Sequence, residues 1–302
     1  MSSPKELLNT VLTGGRAGRK LLAPLVCAAA GEMAGLSPRE FLSNSTKMAN
    51  TLRDLQRALG LDVVVVESGS NIEWEAFGAQ LDWSVYPPRP NSYPFKGDPA
   101  LASGGRMPVL VETVKRLKQM LGDKAAVAVA LQGPRRISDA GGVALDKAAD
   151  AVLRMARVVC ESGADLIWLV EAGEHPPQDT DEYLAVTAPI WGTIRFYQSI
   201  PALHLAGSAD LWLDTMLDAD RGVIPCIDPI RSPKLSDALK SVGTYGAIVG
   251  NDPLTPDKAA ALRAFALEPG CLLFTSESDW FGRVTAREFQ SRIDQWKMLI
   301  NP

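Results

Sequence analysis

A chain of 302 residues, 46% hydrophobic and 22% charged, has an ordinary globular composition and enough apolar residues for a large core. Its formal net charge of −4 gives no electrostatic reason to expect nucleic acid or an anionic membrane surface as a partner. Apolar runs such as "AAVAVAL" at 125–131 are too short for a bilayer, which needs about 20 residues. The four cysteines (Cys27, Cys160, Cys226 and Cys271) form no CxxC pair and no framework spacing, which argues against a zinc finger or a disulfide-built fold. Basic residues precede an apolar run in "MSSPKELLNTVLTGGRAGRKLLAPLVCAAAG", but the run lies late for an export signal, and a cytoplasmic protein is expected.

In chain order, eight short apolar runs read as strands. They are "LAPLVCAA" (22–29), "LDVVVVES" (61–68), "AVAVALQG" (126–133), "ADLIWLVE" (164–171), "ALHLAG" (202–207), "GVIPCID" (222–228), "YGAIVGN" (245–251) and "CLLFTSE" (271–277). Their apolar residues are nearly continuous rather than alternating, as in strands covered on both faces. Segments of helical period lie between them. "SPREFLSNSTKMANTLRDLQRALG" opens with Ser37, Pro38 and Glu40, a capping-box pattern with proline at the first helical position. "SPKLSDALKSVG" and "TPDKAAALRAFAL" repeat the Ser/Thr-Pro start, and "LDKAADAVLRMARVVCESG" ends on Gly163, where a helix C-cap belongs. "TAREFQSRIDQWKMLI" closes the chain.

Eight strand-then-helix units predict an α/β fold, a single (β/α)8 TIM barrel over residues 1–302 with residues 1–20 as an N-terminal extension. The rival, a doubly wound open sheet, wants a glycine-rich phosphate loop after its first strand, and "CAAAGEMAG" at 27–35 lacks the GxGxxG spacing. "YPPRPNSYPFKGDPALASGG" (86–105) reads as a long loop after the second strand, either closing over a ligand or passive.

Barrel chemistry collects at the C-terminal strand ends. Those ends carry Glu67 and Ser68, Gln132 with Arg135 and Arg136 beyond it, Glu171, His204, Asp228, Asn251, and Ser276 with Glu277. One histidine, several carboxylates and two arginines around one mouth predict a catalytic or ligand-binding cluster, or a set of rim salt bridges. Cys271 starts its strand and so belongs to the opposite end, about 20 Å from Glu277 at 3.3 Å per residue. His175, in "EAGEHPP", lies on the loop after the fourth strand.

Five stretches together resemble the uroporphyrinogen decarboxylase superfamily over roughly residues 20 to 299. They are "LSPREFLSNSTKMANTLRDLQRALGLDVVVVESGSNIEWEAFGAQLDW", "GRMPVLVETVKRLKQMLGDKAAVAVALQGP", "CESGADLIWLVEAGE", "IPALHLAGSADLWLDTM" and "IVGNDPLTPDKAAALR". The resemblance implies a (β/α)8 barrel and one of two activities, porphyrin decarboxylation or methyl transfer linked to zinc and a corrinoid. The decarboxylase branch carries an arginine motif after its first strand, where this chain has "VCAAAGEMAG". Its aspartate, serine and histidine positions fall on Gly69, Ala172 and Glu277, and "GPRRISDA" lacks its tyrosine. The methyltransferase branch holds zinc with a His-x-Cys pair at the fifth strand and a cysteine near the eighth. Here His204 matches the histidine, while the cysteine positions are Ala206 and Glu277.

Three roles for His204 follow. It joins Glu171, Glu277 and Asp228 around a divalent metal such as Zn; it acts as an acid/base group oriented by Glu171 or Glu277; or it satisfies a neighbouring carboxylate. Arg135 and Arg136 offer guanidinium forks for a substrate carboxylate or phosphate, with Glu67, Asn251 and Asp228 as further substrate-binding candidates. Trp74, Trp83 and Tyr86 are candidates for stacking on an aromatic or corrin ring.

The resemblance implies an enzyme moving a methyl group from a small methylated substrate to a thiol or to cobalamin on a separate corrinoid protein. A decarboxylase acting on a porphyrin or another acid, and a non-catalytic partner subunit, are the alternatives. A homodimer is the oligomer the resemblance suggests.

Overall fold

The structure, a computed structural model, describes residues 2–95, 104–219, 222–250 and 254–300. The described residues form ten strands, eight from the apolar runs and two in the loop after the second: β1 (Leu21–Leu22), β2 (Val63–Ser68), β3 (Leu81–Asp82), β4 (Arg89–Pro90), β5 (Ala126–Gln132), β6 (Leu166–Ala172), β7 (Ile200–Ala206), β8 (Ile224–Ile227), β9 (Tyr245–Val249) and β10 (Cys271–Ser276). Eight of them run parallel in one sheet, in the order β1-β10-β9-β8-β7-β6-β5-β2, while β3 and β4 make a small antiparallel ribbon in the loop after β2. Asp62 draws the two ends of the sheet together. Its N–H donates to Leu22 O (3.1 Å) and its Oδ2 accepts the Leu22 N–H (2.9 Å). The fold is the expected (β/α)8 TIM barrel.

Alternation along each strand sorts side chains into two apolar layers. Val64, Val66, Leu169 and Leu203 face outward to the helices. Val63, Val65, Trp168, Ala202, Cys226 and Ile248 face inward. Ala126, Ala128 and Ala130 of β5 are small for the interior of a barrel, and Ala130 is the register neighbour of Trp168, whose indole takes up the volume they leave. Residues 1–20 are more than an extension. Helix Pro4–Leu12, capped reciprocally by Ser3 and Glu6, places Leu7 and Leu8 in the inner layer.

Two local expectations need correction. The first predicted strand, 22–29, is a strand only at Leu21–Leu22. Pro24 offers no N–H to the sheet, and the alanines that follow enter helix Cys27–Met33, where the Asp279 carboxylate accepts the Ala28 and Ala29 N–H groups at 2.6 and 3.0 Å. The long helix predicted from Ser37 is two helices, Pro38–Leu42 and Ser45–Leu59. Asn44 starts the second by accepting the Lys47 N–H at 3.0 Å, a competing cap inside an otherwise continuous pattern. Gly60, at φ 59°, ends it in the left-handed conformation that favours glycine. No described helix is long and apolar enough to cross a membrane.

Candidate active site

The sequence around His204 forms the expected strand, then a turn at Gly207 (φ +86°) and a helical segment. Its position on β7 turns the imidazole inward, in register with Val170 and Cys226. The side chain is fully buried. Nε2–H donates to Ser276 O on β10 at 3.1 Å, and Nδ1 has no partner among the described residues. Burial pushes its pKa down to about 4, so the ring is neutral at pH 7.

Glu171 has the opposite parity. Its neighbour Val170 packs against the inner layer, so Glu171 points outward beneath helix Pro134–Gly141, again fully buried. Its carboxylate accepts the Arg135 N–H at 3.0 Å and the Arg136 N–H at 2.8 Å. Gly133 makes this possible, because a Cβ there would lie 2.1 Å from Glu171 Oε1. Burial raises the Glu171 pKa to about 7 against the opposing pull of those two amides.

Glu277 belongs to a third set. Arg231 bridges it to Asp228, whose Oδ2 accepts from Arg231 Nε at 2.8 Å and whose Oδ1 accepts the Ile230 and Arg231 N–H groups at 2.9 and 3.3 Å. Asp228 thus shapes its own turn, and Glu277 has a cation at hand.

The expectation that His204, Glu171 and Glu277 converge on one opening is therefore corrected. One lies inside the barrel, one under a helix and one on a salt-bridged rim. Among the described residues no group of three His, Cys, Asp or Glu side chains is placed to hold a metal ion. Nor do the residues fit the zinc implied by the sequence resemblance. Ala206 and Glu277 replace its two sulfur ligands, and Arg231 engages the one carboxylate among them. Cys271 lies at the barrel's other end beside Gly243 and Gly270, as its strand position implied, and Cys226 packs inside against Trp168.

Polar groups gather instead where β2 and β5 end. Glu67 turns inward and accepts from the N–H and Oγ of Ser70, both at 2.7 Å. Buried Arg106 secures the same turn, with Nη1 on Ser70 Oγ (2.7 Å), Nη2 on Ser70 O (2.8 Å) and Nε on Glu75 (2.5 Å). Glu73, on helix Ile72–Ala76, accepts the Gln132 N–H through Oε1 at 2.8 Å. Its other oxygen is buried with no partner among the described residues, and burial raises the pKa to about 7 against the pull of the Gln132 amide, with Glu67 adding to the rise and Arg136 opposing it. Asp279, just past β10, is also buried and raised to about 6, again chiefly by burial.

Reading strand ends alone missed Glu73, Arg106 and Asp279, because loops and short helices carry them back to the mouth. The acidic pattern in "NIEWEAFG" was the one visible signal. Asn251 lies outside the described residues. Trp74 is core, packed against Phe77 and Tyr93 with its Nε1 on Gln132. Trp83 lies under the Arg106 guanidinium and Tyr86 against Phe281, so all three aromatic rings have protein partners.

No protein-family model and no curated protein matches the chain. Among solved structures, a methyltransferase from Methanosarcina mazei superposes with a TM-score of 0.79, at 18% identity over 99% of both chains. The likeness is one of fold. What it shows is the (β/α)8 barrel, shared over the whole of both chains. A B12-independent methionine synthase from Shewanella reaches 0.52 at 14% identity, over 83% of this chain and 85% of that one. A putative phosphonomutase from Burkholderia cenocepacia reaches 0.50 at 14% identity, over 97% and 99%.

Proposed function

We propose that the protein transfers a methyl group from a small methylated substrate, with a thiol or a corrinoid carried by a separate protein as the acceptor. The observation that carries this reading is the superposition on the Methanosarcina mazei methyltransferase, with a TM-score of 0.79 over 99% of both chains. The site residues add a mechanism for the donor side.

When the acceptor's nucleophile bonds to the methyl carbon, the bond from that carbon to its heteroatom breaks, and the departing heteroatom needs a proton. Glu73 holds one. Its pKa of about 7 keeps a large fraction protonated at neutral pH, and its unpartnered oxygen lies at the C-terminal end of the barrel beside the Gln132 backbone. Solvent returns the proton to Glu73 after each turnover. Neutral His204 and the Glu67–Ser70–Arg106 set hold the surrounding mouth in place.

The test is an assay of purified protein with O-, N- and S-methyl donors, following the methyl group onto a thiol or onto free reduced cobalamin. Transfer that falls by about 10²- to 10⁴-fold in Glu73→Gln supports the reading, a range typical of a lost general acid. Absence of transfer to either acceptor across the three donor classes overturns it.

A further inference from the structure

We propose that Arg136 anchors a carboxylate of the substrate, so that the site takes small methylated acids in preference to neutral methyl donors; this rests on the methyl-transfer reading above. Two adjacent arginines open helix Pro134–Gly141, and the fold treats them differently. Arg135 is spent on its own helix, with Nε on Asp139 Oδ2 and Nη2 on Asp139 Oδ1, both at 3.0 Å. Arg136 is exposed, and its guanidinium makes no hydrogen bond or ion pair with any described residue.

The backbone beneath that guanidinium is fixed. Pro134 sets the first helical turn, and buried Glu171 holds the Arg136 amide at 2.8 Å. A side chain presented from so rigid a base loses less freedom when a ligand engages it. Its charge acts on Glu73, on Glu171 beneath the helix and on His204 inside the barrel, three groups on different elements. Glu73 accepts the Gln132 N–H at the turn that opens this same helix, so Arg136 and the proposed proton donor belong to one corner of the barrel.

A cavity of about 320 Å³ adjoins it, lined by Arg135, Arg136, Asp139, Ala140, Glu171 and His175. That volume is at the small end for ligand sites. The charged side chains along it have hydrogen-bond partners except one. Arg135 and Asp139 cancel, and the Glu171 oxygens are taken up by two amide donors. The guanidinium of Arg136 is left over, and its planar fork matches a carboxylate in two parallel hydrogen bonds. A monoanion balances it; a phosphate dianion would ask for further donors.

The experiment is calorimetric titration with two methoxy acids, methoxyacetate and para-methoxybenzoate, each beside its neutral amide. The expected result is tighter binding of at least one acid than of its amide. Arg136→Gln is expected to weaken that acid by about tenfold to a hundredfold and leave the amide unchanged, the size of a lost charge-assisted hydrogen bond. Arg135→Gln, which frees the Asp139 carboxylate in the same cavity, is expected to weaken the acid less than Arg136→Gln does. Equal binding of acid and amide, no binding of either acid, or an Arg136→Gln variant that binds the acid as well as the parent overturns the proposal. Binding is read without turnover, so the two readings separate. Arg136-dependent acid binding without methyl transfer overturns the activity and keeps the anchor. Methyl transfer from neutral donors with no preference for acids overturns the anchor and keeps the activity.

Discussion

Glu171 is bonded to the backbone of Arg136, with Oε2 accepting its amide at 2.8 Å while Oε1 accepts that of Arg135 at 3.0 Å. A carboxylate that looked catalytic from its place at a strand end is thus the N-terminal partner of the helix that follows the neighbouring strand β5, where a negative group suits both the free N–H groups and the helix dipole. Both oxygens must accept. Glu171→Gln would set an amide NH₂ against a backbone N–H in a buried layer, and a loss of about 1–3 kcal/mol is expected. Denaturant unfolding measures it, and an unchanged midpoint would show that the contact contributes nothing.

Glu73 has the opposite arrangement, and its isosteric variant is expected to behave in the opposite way. Only Oε1 accepts a bond, from Gln132, so glutamine can keep that contact and place its NH₂ where Oε2 is unpartnered. The folded pKa of about 7 lies above the ordinary 4.5, so the fold favours the protonated form. That contribution is fully present below the unfolded value and is lost as pH rises through about 7. Glu73→Gln should therefore match the parent near pH 4.5 and exceed it at pH 8, by on the order of 2–3 kcal/mol. Unfolding curves at the two pH values decide this. A gain in stability together with a loss of methyl transfer would also separate a catalytic role from a structural one.

His204 is expected to remain neutral across the physiological range. Desolvation lowers its pKa to about 4, so the stability tied to the neutral ring is present above the unfolded value near 6.5 and lost as pH falls through 4. The chain has two histidines, which makes imidazole resonances easy to assign with a His204→Gln variant. The His204 signals should stay in the neutral position from pH 8 to pH 5 and should not move when zinc is added. A titration midpoint near 6.5, or a zinc-induced shift, would place the ring in contact with solvent or metal.

The barrel was legible because burial on both strand faces leaves continuous apolar runs, and because Gly60 and Gly163 mark helix ends. The strand ends were legible too, but the direction of each side chain depends on parity. One residue separates inward Val170 from outward Glu171, and no composition signal says which of the two faces the mouth. Partner choice was also hidden. Arg231, which engages both Asp228 and Glu277, sits in a turn that the strand-end reading passed over. Of the two adjacent arginines, the i,i+4 spacing from Arg135 to Asp139 was visible in the sequence; that Arg136 would then be left over needed the helix to be placed.

Asp279 was missed altogether, and it joins the end of the barrel to its beginning. Its carboxylate accepts the N–H groups of Ala28 (2.6 Å), Ala29 (3.0 Å) and Phe281 (3.0 Å), and the Ser68 hydroxyl at 3.4 Å. The strand at Leu21–Leu22 is only two residues long, so the chain after it depends on this side chain to enter helix Cys27–Met33. Asp279→Ala would leave two buried amides and one half-buried amide without an acceptor, and a loss of about 3 kcal/mol is expected. The effect should be local before it is global. Amide hydrogen exchange should quicken at Ala28 to Met33 while the β5, β6 and β7 amides on the far side of the barrel keep the protection set by global unfolding. Uniformly faster exchange would mean that Asp279 acts on the whole barrel, and unchanged exchange at Ala28 and Ala29 would mean that the helix starts without it.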